Sequence, residues 1–354
     1  MKYVSPHLVL IALALVTACT PTSKTSGLAV DDSSKGAQSS AQPRPLGTLK
    51  VLSGPSPCFD EQCFGVEVAC PEVATAAQAW LKVGAPTGLP SRGTVLATTG
   101  GPGNRLYEEE SSEAKQLLSE IRAAGFQTVQ LQWLEGWLFS APGREEGHVR
   151  LACRSATVAR WVYDNLYEKS PMTAYGAIGN SGGAAQVSYM LTHYGLEDIL
   201  SVVVPSGGPP MGRLDLSCIQ DDPANEPLWL QTATRIIDGG FGFPRDGSGP
   251  CSRGDVSFRK KFQEASVSFG AADYVYPKTL VWFLFGEEDN TNATAMGLTY
   301  YDRLVSEGSP FVRKDVLPKV THGIKDSPEG ARKILEILVN ECRPREGSDH
   351  QDGH

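Results

Sequence analysis

The chain has 354 residues, of which 41% are hydrophobic and 20% are charged. This composition excludes disorder for the bulk of the chain and is sufficient for one large globular domain or two small ones. The 32 basic and 40 acidic residues give a formal net charge of -8, a balance that does not attract nucleic acid. We therefore expect no nucleic-acid partner.

The N-terminal segment 1–18 has the layout of an export signal. Lys2 precedes an apolar stretch from Leu8 to Val16, and small residues follow it. This stretch is about half of the roughly 20 apolar residues that a membrane-spanning helix needs. We therefore predict that the segment is removed and that the mature chain does not span a membrane.

The end of this segment, Val16-Thr17-Ala18-Cys19, resembles a bacterial lipoprotein signal, which is cleaved before its cysteine. The resemblance implies that Cys19 carries several acyl chains, which would hold an exported protein on a membrane of the cell envelope. The alternative is ordinary secretion after cleavage behind Ala18. Residues 19–47 continue with Ser, Thr, Gly and Pro and predict a disordered tether.

Eight cysteines indicate an oxidising compartment, because thiols stay reduced in the cytosol. With Cys19 lipidated, an odd number remains, so at least one thiol is expected to be free or paired between chains. Cys58 and Cys63 are close enough for a small loop, and Cys218 with Cys251 would brace one inserted segment. Spacing alone leaves the connectivity open. We expect no metal, since no nearby histidine completes a tetrahedral zinc site with the early cysteines.

The body of the chain alternates short apolar runs with longer amphipathic stretches, a pattern that predicts an α/β domain. The predicted strands are 64–69, 79–83, 94–97, 127–133, 173–178, 199–204, 279–285 and 311–316. The predicted helices are 108–124, 149–167, 184–194, 295–305 and 328–342. We divide the body into a core at 48–205 and 278–342, an irregular insertion at 206–277 and a disordered tail at 343–354.

The sequence Gly179-Asn180-Ser181-Gly182-Gly183 is the only G-x-S-x-G in the chain. It lies between a predicted strand and a predicted helix, the arrangement that exposes a serine at the end of a strand on a strained turn. Ser206 is the competing serine, but Val204 stands where a glycine would be needed. We therefore predict Ser181 as a nucleophile and expect Ser206 to cap its strand.

A serine needs a neighbouring base, and elimination leaves His322 for this role. Three histidines belong to the export signal or the polar tail: His7, His350 and His354. His193 lies about twelve residues along the helix that follows Ser181, which places it roughly 18 Å away. His148 is predicted in a loop before a helix and would place the base ahead of the serine in the chain.

Three acids follow the apolar strand 279–285, on the same strand-end side as Ser181: Glu287, Glu288 and Asp289. A carboxylate is required to hold the tautomer of the histidine and to stabilise its charge. Asp289 is the first choice for this role, and Glu287 and Glu288 remain open alternatives.

With these residues the chain resembles the α/β-hydrolase superfamily over residues 62–342. Ser181, Asp289 and His322 follow that family's order of nucleophile, acid and base, each behind a strand. The family's acid commonly stands three residues after a glycine, which favours Asp289 behind Gly286. The resemblance implies an α/β-hydrolase fold, with a mostly parallel central sheet flanked by helices.

The resemblance also implies an oxyanion hole and a cap. The oxyanion hole would use the N–H of Gly182 and that of Gly100 or Gly101. The loop Thr99-Gly100-Gly101-Pro102-Gly103 is similar to the H-G-G-P-G loop of proline iminopeptidases, with Thr99 in place of the histidine. The insertion at 206–277 falls where the family places its cap. It contains the possible Cys218–Cys251 disulfide and the aromatic residues Trp229, Phe241 and Phe243.

These features predict a membrane-tethered, exported serine hydrolase that cleaves carboxylic esters through an acyl-enzyme. Its substrate would be a small-molecule ester or a short peptide. One alternative is a serine aminopeptidase or amidase of the proline iminopeptidase type, and another is a non-catalytic binding lipoprotein on a hydrolase scaffold. We expect no cofactor, because the chemistry of the triad needs none.

Overall fold

The computed structural model of the chain describes residues 42–58, 61–87, 90–269 and 273–344. The predicted export signal, Cys19 and residues 345–354 lie outside the described residues, so the lipid anchor stays a prediction. Within the described ranges, no helix has the length and apolar character that crossing a bilayer requires.

One nine-stranded sheet forms the centre of the described chain, in the order β1-β2-β3-β5-β4-β6-β7-β8-β9. The strands are β1 (Thr48–Cys58), β2 (Glu61–Ala69), β3 (Ala77–Gly84), β4 (Gly93–Thr98), β5 (Phe126–Trp133), β6 (Ala174–Asn180), β7 (Val202–Ser206), β8 (Leu280–Gly286) and β9 (Val312–Leu317). Antiparallel pairing joins β1, β2, β3 and β5. From β5 to β9, every neighbouring pair is parallel.

Helices cover both faces of this sheet. They are α1 (Ser112–Ala123), α2 (Gly147–Leu151), α3 (Cys153–Asn165), α4 (Gly182–Thr192), α5 (Leu214–Cys218), α6 (Gln231–Gly240), α7 (Arg259–Glu264), α8 (Ala293–Ser306) and α9 (Pro328–Glu341). Alternation along β4 shows the layering: Val95 and Ala97 join the apolar cluster with α1 and α9. Leu96 joins the cluster with α3, α4 and α8 on the opposite face.

The predicted strands of the body form with shifted ends, and one strand was not predicted. The predicted helices also form, with 149–167 divided into α2 and α3, and the insertion predicted as irregular contains three short helices, α5, α6 and α7. Strand β1 lies at the edge of the sheet, and nearly all of its residues are exposed. Because burial does not impose an apolar alternation on such a strand, its sequence lacks the usual pattern. Just before it, residues predicted as tether contact the domain. The N–H of Arg44 donates to the carbonyl of His193 at 2.7 Å.

Three disulfides form within the described residues. Cys58–Cys63 and Cys218–Cys251 are the two pairs that spacing suggested. Cys70–Cys153 was not predicted, because 83 positions separate its cysteines in the sequence. It ties the end of β2 to the start of α3. Cys342, which directly follows α9, is the free thiol of the described residues and is buried.

Candidate active site

Ser181 lies in the tight turn between β6 and α4, with φ 56° and ψ -117°. A positive φ is strained for a residue with a side chain, and such strain is typical of functional turns. The flanking glycines make the turn possible. A Cβ on Gly179 would lie 2.3 Å from the carbonyl oxygen of Gly183, and a Cβ on Gly183 would lie 2.3 Å from that of Thr98. The structure thus gives the glycines of the G-x-S-x-G sequence a steric reason.

The loop after β4 brings the predicted oxyanion glycines beside Ser181. A Cβ on Gly182 would lie 2.3 Å from the carbonyl oxygen of Gly101, and one on Gly100 would lie 3.4 Å from the Cβ of Ser181. Gly182 is the first residue of α4, so its N–H has no acceptor within the helix. A donor of this kind beside a serine is suited to binding a developing oxyanion.

His322 and Asp289 are in direct contact. Nδ1 of His322 lies 3.0 Å from Oδ2 of Asp289, and the aspartate side chain is fully buried. The other oxygen, Oδ1, accepts from the N–H and the hydroxyl of Thr291 at 2.9 and 2.7 Å. The hydroxyl of Thr294 donates to Oδ2 at 3.0 Å.

These contacts decide the protonation of the pair. Burial raises the pKa of Asp289, but the hydrogen bonds from His322 and Thr291 outweigh it and lower the pKa to about 2. Since the carboxylate is ionised and can only accept, Nδ1 of His322 carries the proton. In the neutral imidazole, Nε2 is then the nitrogen that can accept a proton. Part of the imidazole remains accessible, with 29% of the side chain exposed.

Glu287 and Glu288, the alternative acids, are exposed and form hydrogen bonds with the backbone that follows β9. The carboxylate of Glu287 accepts the N–H of Lys319 at 3.2 Å. The N–H of Glu288 donates to the carbonyl of Val320 at 2.9 Å. Both residues thus fasten the end of β8 to the chain that follows β9, while the contact with His322 is made by Asp289.

Two neighbouring residues join the turn of Ser181 to His322, and sequence analysis missed both. The side-chain amide of Asn180 donates to the carbonyl of His322 at 3.4 Å. Gly207 packs against the same residue, since a Cβ there would lie 2.5 Å from its carbonyl oxygen and 3.4 Å from Nδ1. The Gly207-Gly208 pair after β7 is the sequence feature from which this close packing could have been suspected.

The competing serine and one of the excluded histidines lie in buried structural positions. The hydroxyl of Ser206, at the end of β7, lies 2.9 Å from the carbonyl oxygen of Gly179, and 1% of the residue is exposed. His193 is buried at the end of α4, where Nδ1 lies 2.7 Å from the hydroxyl of Thr192. Neither side chain is available to a substrate in this conformation.

The prediction for His148 was wrong in its local structure. The residue lies within α2, whose start at Gly147 requires φ +74°, and its side chain is fully buried. Among the described residues, neither ring nitrogen has a hydrogen-bond partner. Burial lowers the pKa of His148 to about 3. This burial could not be predicted from the local sequence, because the packing partner, Gly240, comes from the distant α6.

The insertion between β7 and β8 is folded and contains α5, α6 and α7. Phe241 is buried in an aromatic group with Phe258 and Phe262. Trp229 is 38% exposed and follows Leu228, whose carbonyl accepts the side-chain amide of Asn292 at 2.7 Å. This bond attaches the insertion to the chain just beyond Asp289 and Thr291.

The described residues contain no cluster of three or more His, Cys, Asp or Glu side chains that could hold a metal ion. The cysteines considered for zinc are engaged elsewhere, since Cys58 and Cys63 bond to each other and Cys70 bonds to Cys153.

No protein-family model matches this chain, and no curated protein matches it in sequence. Solved structures do match. An acylaminoacyl peptidase in complex with Z-Gly-Gly-Phe-chloromethyl ketone has a TM-score of 0.50 and 13% identity, covering 82% of this chain and 43% of that one. The chain thus spans less than half the length of that structure.

Esterases are also similar. A thermostable carboxyl esterase from Bacillus coagulans has a TM-score of 0.49 and 13% identity, covering 78% of this chain and 96% of that one. An esterase from the archaeon Pyrobaculum calidifontis has a TM-score of 0.48 and 16% identity, covering 80% of this chain and 85% of that one.

The first similarity and the mostly parallel, helix-flanked sheet together confirm the predicted α/β-hydrolase fold. At this identity the similarity concerns the fold, and similarity to proline iminopeptidases stays a prediction.

Proposed function

We propose that this chain is a serine hydrolase with Ser181 as nucleophile, His322 as base and Asp289 as the residue that orients the base. One observation carries the proposal. A serine held in a strained turn and a histidine bonded to a buried, ionised aspartate lie behind parallel strands of one sheet. The carboxyl ends of such strands meet at one edge, where α/β proteins place their sites.

In the proposed reaction, Oγ of Ser181 attacks an acyl carbon while Nε2 of His322 takes the hydroxyl proton. The carboxylate of Asp289 stabilises the imidazolium that forms. The N–H groups of Gly182 and of Gly100 or Gly101 donate to the oxyanion. His322 then protonates the leaving group. In deacylation, Nε2 takes a proton from water as the water attacks the acyl carbon, and returns it to Oγ of Ser181 as the bond between the acyl carbon and Oγ breaks and the free acid leaves.

The bond that we propose is a carboxylic ester. Open space in the loop beside Ser181 supports an acyl group of some size, because a Cβ on Gly101 would meet no atom within 4 Å. We propose that the insertion at 206–277 caps this space, supported by the bond from Asn292 to Leu228. In this arrangement the half-exposed Trp229 would contribute to the wall of the acyl pocket.

We also propose that the protein is exported and anchored through Cys19. Three disulfides support an oxidising compartment. Metabolic labelling with a palmitate analogue should mark the wild-type chain in a bacterial host and leave a Cys19→Ser variant unmarked. Equal labelling of the two would contradict the anchor.

A fluorophosphonate probe tests the nucleophile. We expect one adduct, mapped by mass spectrometry to Ser181, in the chain lacking residues 1–19, and none in a Ser181→Ala variant. Ser206→Ala is the matched control and should still be labelled. Folded wild-type protein that takes up no probe would overturn the proposal. A panel of acyl esters and aminoacyl anilides would then identify the bond, and faster cleavage of the anilides would favour a peptidase.

A further inference from the structure

The side chain of Asn180 connects the nucleophile turn with the backbone of the histidine loop. Asn180 is the last residue of β6, directly precedes Ser181, and is 4% exposed. Its Nδ2 lies 3.4 Å from the carbonyl oxygen of His322, and its Oδ1 accepts the N–H of Ile324 at 3.1 Å. One amide thus binds both ends of the segment His322-Gly323-Ile324.

This segment is an inverse γ-turn. Gly323 has φ -81° and ψ 74°, and the N–H of Ile324 also donates to the carbonyl of His322 at 3.1 Å. A turn of this kind has a single internal hydrogen bond. The amide of Asn180 adds one contact to each of the groups that close the turn, and so fixes the backbone from which the imidazole projects.

The surroundings determine which way the amide points. Oδ1 faces the N–H of Ile324 and the hydroxyl of Ser206, which lies 3.2 Å away, whereas Nδ2 faces a carbonyl oxygen. Reversing the amide would place two donors against each other and two acceptors against each other. The position therefore requires one donor and one acceptor, which an amide supplies and a carboxylate does not.

Asp289 holds the imidazole at its ring, but a ring contact alone leaves the backbone of His322 free to shift. Gly207 blocks such a shift on one side, and Asn180 restrains the carbonyl. Because Asn180 is bonded covalently to Ser181, it couples the positions of the two residues directly. Displacements of about 1 Å between reacting groups cost on the order of 100-fold in rate.

We propose that Asn180 is a positioning residue, which sets the backbone of His322 relative to Ser181 through its side-chain amide. This inference rests on the proposed hydrolase function for its kinetic consequence, but its structural consequence can be measured without any substrate. The two variants are Asn180→Ala, which removes both contacts, and Asn180→Asp, which keeps the shape and the acceptor and loses the donor. Asn165→Ala is the matched control, since that amide binds the carbonyl of Trp161 in its own helix.

The first measurement is the downfield proton NMR signal of the His322–Asp289 hydrogen bond, assigned by its loss in His322→Gln. We expect this signal to shift upfield or broaden in both Asn180 variants and to stay unchanged in Asn165→Ala. The second measurement is ester hydrolysis. We expect kcat to fall about 10- to 100-fold in both variants, with KM changed by less than about threefold.

The outcomes separate the two proposals. An unchanged NMR signal and unchanged kcat in either Asn180 variant would overturn the positioning role. So would a lowered melting temperature with both readouts intact, because that marks a merely structural residue. A wild-type protein that is inactive and takes up no fluorophosphonate would overturn the hydrolase function, and the NMR signal would still decide whether Asn180 positions His322.

Discussion

The surroundings of His322 and His148 differ in every respect that governs proton transfer. His322 is 29% exposed, and Nδ1 contacts the buried carboxylate of Asp289. His148 is fully buried in α2, has no hydrogen-bond partner among the described residues, and faces the ring of Trp137 edge-on. Two imidazoles of the same intrinsic chemistry are thus placed in opposite electrostatic environments.

This difference shows what makes a histidine suitable as a base. An adjacent carboxylate compensates the charge that forms when Nε2 takes a proton, and solvent access admits a substrate. In the apolar surroundings of His148 the protonated form lacks a compensating charge, and its pKa falls to about 3. A histidine buried without a charged partner stays neutral and packs, whereas a carboxylate beside the ring stabilises the imidazolium that forms when a base takes a proton.

The largest expected effect comes from removing the negative charge of Asp289, which contacts His322. Asp289→Asn keeps the shape of the side chain but permits the wrong tautomer of the imidazole, so kcat should fall on the order of 10⁴-fold. Steady-state ester hydrolysis measures this loss. Glu287→Gln and Glu288→Gln are the matched controls and should retain activity within about threefold, because their side chains are exposed. A large loss in either control would reassign the acid.

The core strands could be predicted from the sequence, because burial on both faces requires apolar runs, as in β4 and β8. Strand β1 escaped prediction since its side chains are exposed. The helices of the 206–277 insertion were not predicted for another reason. Its helices are short, and the burial of Phe241 depends on Phe258 and Phe262, which no local periodicity links to it.

At the site, Ser181, Asp289 and His322 could be proposed from the sequence because their residue types and chain order carry chemical meaning. Their supporting residues could not. Asn180, Gly207 and Thr291 contact the site through packing of separate loops, and each also has an ordinary local explanation as a strand end or a turn residue. The position of His148 failed in the same way, because its burial is produced by α6 and not by its own segment.

Acid is expected to lower the stability of the fold through His148, and His322 does not share the burial that causes this effect. The pKa of His148 is lowered in the folded state, so below about pH 6.5 the unfolded chain binds a proton that the folded chain does not. Above pH 6.5 the burial of neutral His148 therefore carries no protonation cost. As the pH falls from 6.5 towards 3, this cost lowers the free energy of unfolding by about 1.4 kcal/mol per pH unit. His193, whose pKa is also lowered to about 3 by burial, adds a similar slope.

His148→Leu should remove one of these two contributions. Urea unfolding between about pH 7.5 and about pH 5.5 measures the slope above most of the range where carboxyl groups titrate. We expect the slope below pH 6.5 to be lower than in the wild type by one bound proton, with ester hydrolysis at pH 7.5 retained. Identical slopes in the two proteins would show that His148 takes up its proton while folded, and that the contrast with His322 is smaller than its burial indicates.

The smallest expected effect concerns the second carboxylate oxygen of Asp289. The hydroxyl of Thr291 donates to Oδ1 at 2.7 Å and lies 3.3 Å from Nδ1 of His322. Thr291→Val removes the hydroxyl, keeps the shape, and leaves the N–H of Thr291 as a donor. One hydrogen bond to a charged group is worth about 1.5–3 kcal/mol, and the remaining N–H partly compensates, so we expect kcat to fall about 10-fold.

Thr294→Val, in the first turn of α8, provides the comparison, because that hydroxyl donates to Oδ2, the oxygen that also contacts His322. If the contacts of Asp289 serve mainly to keep it ionised, both variants raise its pKa from about 2, and kcat stays constant at neutral pH. If they serve mainly to aim the carboxylate, kcat falls across the whole pH range, because the imidazole loses its fixed orientation. We expect the second pattern. With a pKa so far below neutrality, one lost hydrogen bond leaves Asp289 ionised, and only its direction can change.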